Sequence, residues 1–189
     1  MREGSIGGNM LRARTITPLA ERRRMLTDTN PTPYALGPEE GEAFWGFGSL
    51  WTIKASGEQT GDRFSMIEEV APRGEGTPLH RHREDDETFY VLEGELTFYL
   101  EDDQPVTASA GSFVHVPGGA VHAFRVDSET ARYLIITTPQ HERFYRAAFG
   151  DPAQARTLSP EGQLDMERIE AAAQEYKVEI LGPPPGTQA

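Results

Sequence analysis

The stretch that decides the fold is residues 74–94, which read GEGTPLHRHREDDETFYVLEG. His80 and His82 are two residues apart, so in a β-strand their side chains point to the same face. Glu87 opens the next apolar run in phase with Phe89, and a carboxylate that points into a core is costly unless a partner such as a cation satisfies it. We therefore expect two imidazoles and one carboxylate to converge inside a β-structure.

A second stretch, residues 111–122, reads GSFVHVPGGAVH and supplies another histidine. The turn Pro117-Gly118-Gly119 reverses the chain, so His122 enters from a neighbouring strand. Three imidazoles and one carboxylate suit one divalent Mn, Fe, Co, Ni, Cu or Zn ion, and an octahedral ion held in this way keeps open positions for a reactant. The predicted metal ligands are His80, His82, Glu87 and His122.

Other histidines and acids near these stretches fit the ligand role less well. His115 lies within a strand, where a lone histidine is usually packed or hydrogen bonded. His141 follows Pro139 at the start of a helix and is expected at the surface or in a cap. Asp85 and Asp86 belong to a turn or are out of phase with the strand. We therefore leave these residues out of the predicted site.

The composition narrows the class of protein. The 189 residues suffice for one domain with its own core, and the absence of cysteine excludes disulfides and Cys-ligated metal sites. The formal net charge of −12 argues against nucleic acid or an anionic membrane as a partner. The chain lacks both an apolar run of about 18 residues and a secretory h-region, so we expect a cytoplasmic protein.

Short runs rich in aromatic and β-branched residues, separated by Gly, Pro and Asp clusters, indicate an all-β sandwich or barrel. The predicted strands cover residues 49–55, 64–70, 88–93, 96–101, 112–116, 120–126 and 133–138. Helical spacing follows over residues 141–149 and 163–176, the second with Ser159 as its expected N-cap. The predicted organisation is an N-terminal, partly flexible arm (1–30), a barrel (31–150), and a C-terminal helical appendage with a tail (151–189).

The spacings Gly-x5-His-x-His-x4-Glu-x6-Gly and Gly-x5-Pro-x-Gly-x2-His resemble the two signature motifs of the cupin superfamily. One position departs, because Val126 stands where the second motif closes with Asn. The resemblance implies an all-β cupin fold, a double-stranded β-helix or jelly-roll barrel, here with C-terminal helices. It also implies a bound divalent transition metal, although some cupins keep the barrel without one.

Further segments resemble the quercetin 2,3-dioxygenase-like group of bacterial cupins; they cover residues 57–64, 89–94, 121–125 and 137–149. This resemblance implies a metal-dependent dioxygenase that opens a flavonol or similar aromatic substrate with O2 and releases carbon monoxide. Glu87 would then be the catalytic base as well as a ligand. Apolar and aromatic side chains near the site are candidates for the substrate pocket, with simple barrel core as the alternative for each; they are Phe64, Met66, Phe89 and Phe124.

Two other functions stay open. One is a different metal-dependent cupin enzyme, such as an isomerase, a decarboxylase or a polyketide-tailoring enzyme, for which Glu68 and Arg125 offer polar groups. The other is a non-catalytic module that binds a small molecule. In each case the expected partner is a small organic molecule, and the edge strands of a small cupin predict a homodimer.

Overall fold

The computed structural model describes residues 31–101, 104–160 and 165–185. The arm expected over residues 1–30 lies outside the described residues. Within them, the chain forms eleven β-strands and three α-helices. No helix among the described residues is long and apolar enough to cross a membrane.

Two antiparallel sheets form the body of the protein. The six-stranded sheet has the order β1 (Glu42–Gly46), β2 (Ser49–Ala55), β3 (Ser65–Pro72), β10 (Thr130–Thr137), β5 (Glu87–Glu93) and β8 (Phe113–Val116). The five-stranded sheet has the order β11 (Val178–Gly182), β4 (Leu79–His82), β9 (His122–Val126), β6 (Glu95–Leu100) and β7 (Val106–Ser109). The all-β prediction is confirmed.

Side chains alternate between the interior and the outer face, as the two-residue period of a strand requires. In β3, Ser65, Ile67, Glu69 and Ala71 are buried, whereas the residues between them are half-buried. Strand β10 alternates in a similar way. Aromatic rings that contact one another fill much of the interior, among them Phe89, Phe98, Phe124 and Tyr133. The core therefore lies between the two sheets.

The seven predicted strands are all present, with ends that shift by at most three residues. Strands β1, β7 and β11 were not predicted, and β4 was expected only through the shared face of His80 and His82. Strand β7 buries only Ala108, so it lacks the apolar alternation that marks a strand in a sequence. These three strands occupy the edges of the sheets, where fewer side chains need to be apolar.

The chain passes from the six-stranded to the five-stranded sheet at Gly94, between β5 and β6. Gly94 has a φ of 82°, and a Cβ at this position would lie 2.5 Å from the Thr130 carbonyl oxygen. Glycine alone combines this backbone conformation with such a close approach. The predicted turn at Glu93-Gly94 is thus one of the points where the chain crosses between the two sheets.

Three helices lie outside the sheets: α1 (Gly57–Thr60), α2 (Pro139–Phe149) and α3 (Met166–Glu175). Helix α2 confirms the first predicted helix, and Thr138 is its N-cap. Helix α3 differs from the prediction: it begins at Met166 with Asp165 as its N-cap, whereas Ser159 lies in a non-helical segment. Residues 163 and 164 of the predicted helix lie outside the described residues.

The segment after α3 corrects the expectation of a purely helical appendage with a tail. Strand β11 pairs antiparallel with β4 and so becomes part of the five-stranded sheet. Its residues Val178 and Ile180 are β-branched and two apart, which suits a strand with one apolar face. The C-terminal segment therefore packs beside the strand that carries His80 and His82.

Candidate metal centre

Four side chains that could bind a metal converge inside the barrel. One donor atom from each lies within 4.8 Å of the others, and all four residues are buried; they are His80, His82, Glu87 and His122. Nε2 of His80 lies 3.0 Å from Nε2 of His82. Oε2 of Glu87 lies 3.1 Å from Nε2 of His122 and 3.7 Å from Nε2 of His82. The structure thus brings together the four ligands predicted from the sequence.

Strand geometry accounts for this convergence. His80 and His82 share the inner face of β4, and His80 is the cross-strand partner of His122 on β9. Glu87 is the first residue of β5, in the opposite sheet. The site therefore spans the interior from one sheet to the other.

The backbone fixes the orientation of two of the imidazoles. Nδ1 of His80 lies 2.8 Å from the Pro78 carbonyl oxygen, and Nδ1 of His122 lies 3.1 Å from that of Ala120. A neutral imidazole that donates from Nδ1 presents an unshared electron pair on Nε2. Both Nε2 atoms therefore face the centre of the cluster as acceptors, as metal-ligating histidines do.

The electrostatics favour the metal-binding protonation states. Burial, followed by the nearby His122, lowers the pKa of His80 to about 4, and burial also holds the pKa of His82 well below its ordinary value. Burial tends to raise the pKa of Glu87, but His141 and other neighbouring imidazoles outweigh it and hold that pKa well below its ordinary value. Neutral imidazoles and an ionised carboxylate are the forms that bind a cation.

The donor set fits a divalent transition metal. Nε2 of His80 and Nε2 of His82 lie 3.0 Å apart, so a proton on one of them or an ion between them is needed, and a buried carboxylate needs a compensating charge. One cation among the four donors would satisfy both requirements. Nitrogen and carboxylate donors suit Mn, Fe, Co, Ni, Cu and Zn alike, so the donors do not select one metal.

A cavity of about 70 Å³ extends from His80 and His82. Most of its wall is aromatic or aliphatic, and side chains of α2, α3 and β11 line it together with the barrel. The aromatic lining residues are Phe47, Trp51, Phe124, Phe144, Tyr145 and Phe149. The character of this lining suits a mainly apolar organic group.

Residues 66–137, which include all four converging side chains, match the family model described as "Cupin domain". The chain contains a cupin domain. The chain is also 31% identical over 153 residues to quercetin 2,3-dioxygenase of Bacillus subtilis (strain 168). The aligned region covers 80% of this chain and 45% of that enzyme. It therefore spans about half the length of the curated relatives that it matches.

Two solved structures share the cupin fold. KdgF from Halomonas sp. has a TM-score of 0.50 and 18% identity, over 57% of this chain and 94% of that chain. A predicted oxalate decarboxylase from Thermotoga maritima has a TM-score of 0.50 and 18% identity, over 56% of this chain and 98% of that chain. At this level of identity the likeness concerns the fold alone.

His141 is placed in this cupin where sequence reasoning did not expect it. It was expected at the surface or in a cap, but only 1% of it is exposed, because α2 packs over the barrel and turns its side chain inward. The ring centroid of His141 lies 4.0 Å from that of His82, and Nδ1 lies 2.9 Å from the Thr137 hydroxyl oxygen. In the sequence, the inward position of His141 is indicated by its i, i+4 spacing from Tyr145, which also faces the site.

Tyr145 is a second residue that the sequence analysis missed. Its hydroxyl donates a hydrogen bond of 3.1 Å to Oε1 of Glu87, and its ring stacks on His141 with centroids 4.6 Å apart. Helix α2 thus supports the four-residue cluster from the side of the six-stranded sheet.

The predicted substrate pocket needs correction. Phe124 lines the cavity beside His80, but Phe64 and Met66 line a different depression, on the outer surface. Phe64 is 42% exposed because it precedes β3, whose inward phase starts at Ser65, and Met66 falls on the outer face. Phe89 is 0% exposed and packs in the core against other rings, so it does not line the cavity.

Three polar side chains that the sequence did not single out line the cavity: Glu69, Glu75 and Thr77. Glu68 and Arg125, the polar groups expected for a different cupin enzyme, do not line the cavity. Glu68 lies 3.8 Å from both Lys54 and Arg132 on the outer face of the sheet, and Arg125 pairs with Asp127. Glu69 is the glutamate of β3 that points inward, and its two-residue spacing from the apolar Ile67 indicates this in the sequence.

The acids and the histidine left out of the predicted site lie outside the four-residue cluster. Asp85 accepts hydrogen bonds from Thr138 and Gln140, and Asp86 accepts one of 2.9 Å from the Gly118 amide. His115 is exposed, with Nδ1 2.9 Å from the Thr88 hydroxyl oxygen. Glu87 is therefore the carboxylate that the fold directs to the imidazoles.

Proposed function

We propose that this cupin is a metal-dependent dioxygenase, similar to quercetin 2,3-dioxygenase, that opens a flavonol or a similar aromatic substrate with O2. The observation that carries the proposal is the buried group of three imidazoles and Glu87 at the edge of an aromatic cavity. The likeness to the Bacillus subtilis enzyme supports the choice among cupin reactions. Both the flat ring system and O2 are apolar enough to enter such a cavity.

His80, His82, Glu87 and His122 would hold the ion. A divalent transition metal supplies Lewis acidity, which lowers the pKa of a hydroxyl group placed beside it. The protein's own residues have separate tasks. Oε1 of Glu87 is held by Tyr145, while Oε2 faces the imidazoles and is the atom placed to take a proton from the substrate hydroxyl. Helix α2 and strand β11 limit the access of water to this region.

The overall reaction balances without another co-reactant. A flavonol and one O2 give one carboxylic ester and one carbon monoxide, so both atoms of O2 are reduced at the expense of the ring carbons. Every oxygen atom of the flavonol and of O2 is found in one of the two products. The proton taken from the hydroxyl is returned to the product acid. The remaining requirement is a mainly apolar site, which the cavity lining meets.

Oxygen uptake tests the proposal. Protein loaded separately with each candidate metal is mixed with a panel of flavonols, and O2 consumption and released carbon monoxide are both measured. We expect activity with at least one metal, its loss in Glu87→Ala, and its retention in Glu84→Ala, because Glu84 pairs with Lys177 at the surface. Stoichiometric metal without any uptake would overturn the dioxygenase and favour one of the other metal-dependent cupin reactions.

A further inference from the structure

The cavity contains a second polar group besides the metal centre. Trp51, Glu69 and Glu75 line it, and all three are more than nine-tenths buried. Within the described residues, Nε1 of Trp51, Oε1 of Glu69 and Oε2 of Glu75 are buried and make no hydrogen bond. The hydroxyl groups of Ser49 and Tyr133 are also buried and also make no hydrogen bond. Five buried polar atoms without a partner in one part of an interior are far from the usual pattern.

The sheet register explains why these groups meet. Glu69 is the inward residue of β3, and its cross-strand partners are Trp51 on β2 and Tyr133 on β10. Glu75 follows β3 and is held beside β9, since the Val126 amide donates to its carbonyl oxygen over 2.8 Å. All four side chains therefore enter the same region of the barrel.

Along β3 this region is displaced from the level of the four-residue cluster, and the ring of Trp51 spans part of that separation, with its centroid 4.4 Å from that of Tyr145, which donates to Glu87. Thr137 of β10 pairs with Ser65 on one side and with Glu87 on the other, so Ser65 and Glu87 lie at the same level of the sheet. Glu69 is four residues beyond Ser65 along β3. Four residues of strand span roughly 13 Å. Glu69 and Glu75 thus line a part of the cavity wall that is distinct from His80 and His82.

The surroundings of Glu69 leave it incompletely paired. Burial raises its pKa to about 7, and Trp51, Tyr133 and Ser49 offset this in part because they face its carboxyl as donors. None of the three reaches the distance and angle of a normal hydrogen bond. Burial, and then the charge of Glu69, which lines the same cavity, raise the pKa of Glu75 as well.

We propose that Glu69, Glu75 and Trp51 form a subsite for a neutral hydroxyl group on a part of the substrate other than the group beside the metal. This inference deepens the proposed function and rests on it for the aromatic class of ligand. A hydroxyl both donates and accepts, so it can pair with a carboxyl and with the indole N–H together. A carboxylate or phosphate would meet two acidic side chains in a buried place and is excluded.

Binding measurements test the subsite without requiring turnover. Dissociation constants are measured by calorimetry on metal-loaded protein without O2, for two series of matched ligands. The first comprises 3-hydroxyflavone and its derivatives with one further hydroxyl, methoxyl or carboxylate on either ring. The second comprises 2-naphthol, 2-methoxynaphthalene and 2-naphthoate, which lack the metal-binding group of a flavonol.

We expect the hydroxyl to improve affinity about tenfold over the methyl ether, and the carboxylate to weaken binding at least about tenfold relative to the hydroxyl. Glu69→Leu should abolish the preference for the hydroxyl. Glu69→Gln, which keeps the size but not the charge, should admit the carboxylate more readily. Glu68→Leu and Glu68→Gln are matched controls on the outer face of the same strand and should leave every affinity unchanged.

The outcomes separate this inference from the proposed function. Oxygen uptake combined with affinities that do not respond to Glu69 would overturn the subsite and leave the dioxygenase. The expected order among the naphthalene ligands without any flavonol uptake would support the subsite and overturn the dioxygenase. If Glu69→Leu does not fold, Glu69→Gln and Trp51→Phe carry the test, and unchanged selectivity in both would overturn the subsite.

Discussion

The hydroxyl of Tyr145 donates a 3.1 Å hydrogen bond to Oε1 of Glu87, and so connects helix α2 to the four-residue cluster. Both groups are buried, and the same carboxylate presents Oε2 to His122. A carboxylate ligand whose second oxygen is held in this way has a fixed orientation toward the ion. Helix α2, which follows β10, is therefore part of the candidate metal centre.

Tyr145→Phe should weaken metal binding about 10- to 100-fold, because it removes the bond that orients Glu87 while it keeps the ring. Competition with a chelator of known affinity measures the change. Tyr90→Phe is the matched control, since Tyr90 is 42% exposed on the outer face. Equal metal affinity in the two variants would show that the bond to Glu87 has no effect on the ion.

His82→Ala should abolish stoichiometric metal binding, whereas His115→Ala should retain it. His82 lies in the cluster, but His115 is exposed and contacts Thr88. Elemental analysis of protein purified without added metal gives the metal content of both. Equal content in both variants, at the wild-type level, would contradict the assignment of His82 as a ligand.

Glu69→Gln should change the pH dependence of stability. The folded protein raises the pKa of Glu69 from 4.5 to about 7, so between these pH values the folded state binds more protons than the unfolded state. The stabilisation from this group is complete below about pH 4.5 and is lost as pH rises through about 7. At about 1.36 kcal/mol per pKa unit it is on the order of 3 kcal/mol.

Denaturant unfolding of wild type, Glu69→Gln and Glu68→Gln at several pH values measures this effect. The difference between wild type and Glu69→Gln should fall toward high pH, while the difference for Glu68→Gln should stay flat, because Glu68 lies in the outer-face ion pairs. Parallel curves for all three proteins would mean that the pKa of Glu69 is not raised in the folded state.

Gly76→Ala should destabilise the protein by about 1–3 kcal/mol or more and reduce its metal content. A Cβ on Gly76 would lie 2.3 Å from the Phe124 carbonyl oxygen, and the resulting shift would separate the segment before β4 from β9. Thermal unfolding and elemental analysis measure the two effects. Gly37→Ala is the control, because its Cβ would meet only the Glu40 side chain at ordinary distances. Wild-type behaviour of Gly76→Ala would contradict this account.

The homodimer predicted from the sequence can be tested at the edge strand β8. Phe113 is 65% exposed there and pairs across the sheet with the exposed Tyr90. We expect light scattering to give twice the 20.9 kDa of one chain, and Phe113→Ser to shift the protein toward monomer. Val106→Ser, on the edge of the other sheet, should not do so. A monomeric wild type would refute the prediction.

Much of the fold could be read from the sequence because strand alternation is local. The seven main strands and the convergence of His80, His82 and His122 follow from apolar runs, turn residues and two-residue spacing. Prediction failed where that signal is weak or ambiguous. The outward position of Met66 shows this, since a shift of one residue in the start of β3 exchanges its inner and outer faces.

The sequence by itself determined the all-β class, the four converging donors and the exclusion of cysteine-based sites, because spacing within a strand and the inventory of side chains are local properties. Only the tertiary structure decided what surrounds those donors. His141, Tyr145 and Glu69 reach the cavity through helix packing and sheet register, which depend on contacts between residues far apart in the chain. The same contacts decide which part of a ligand each of these residues can meet.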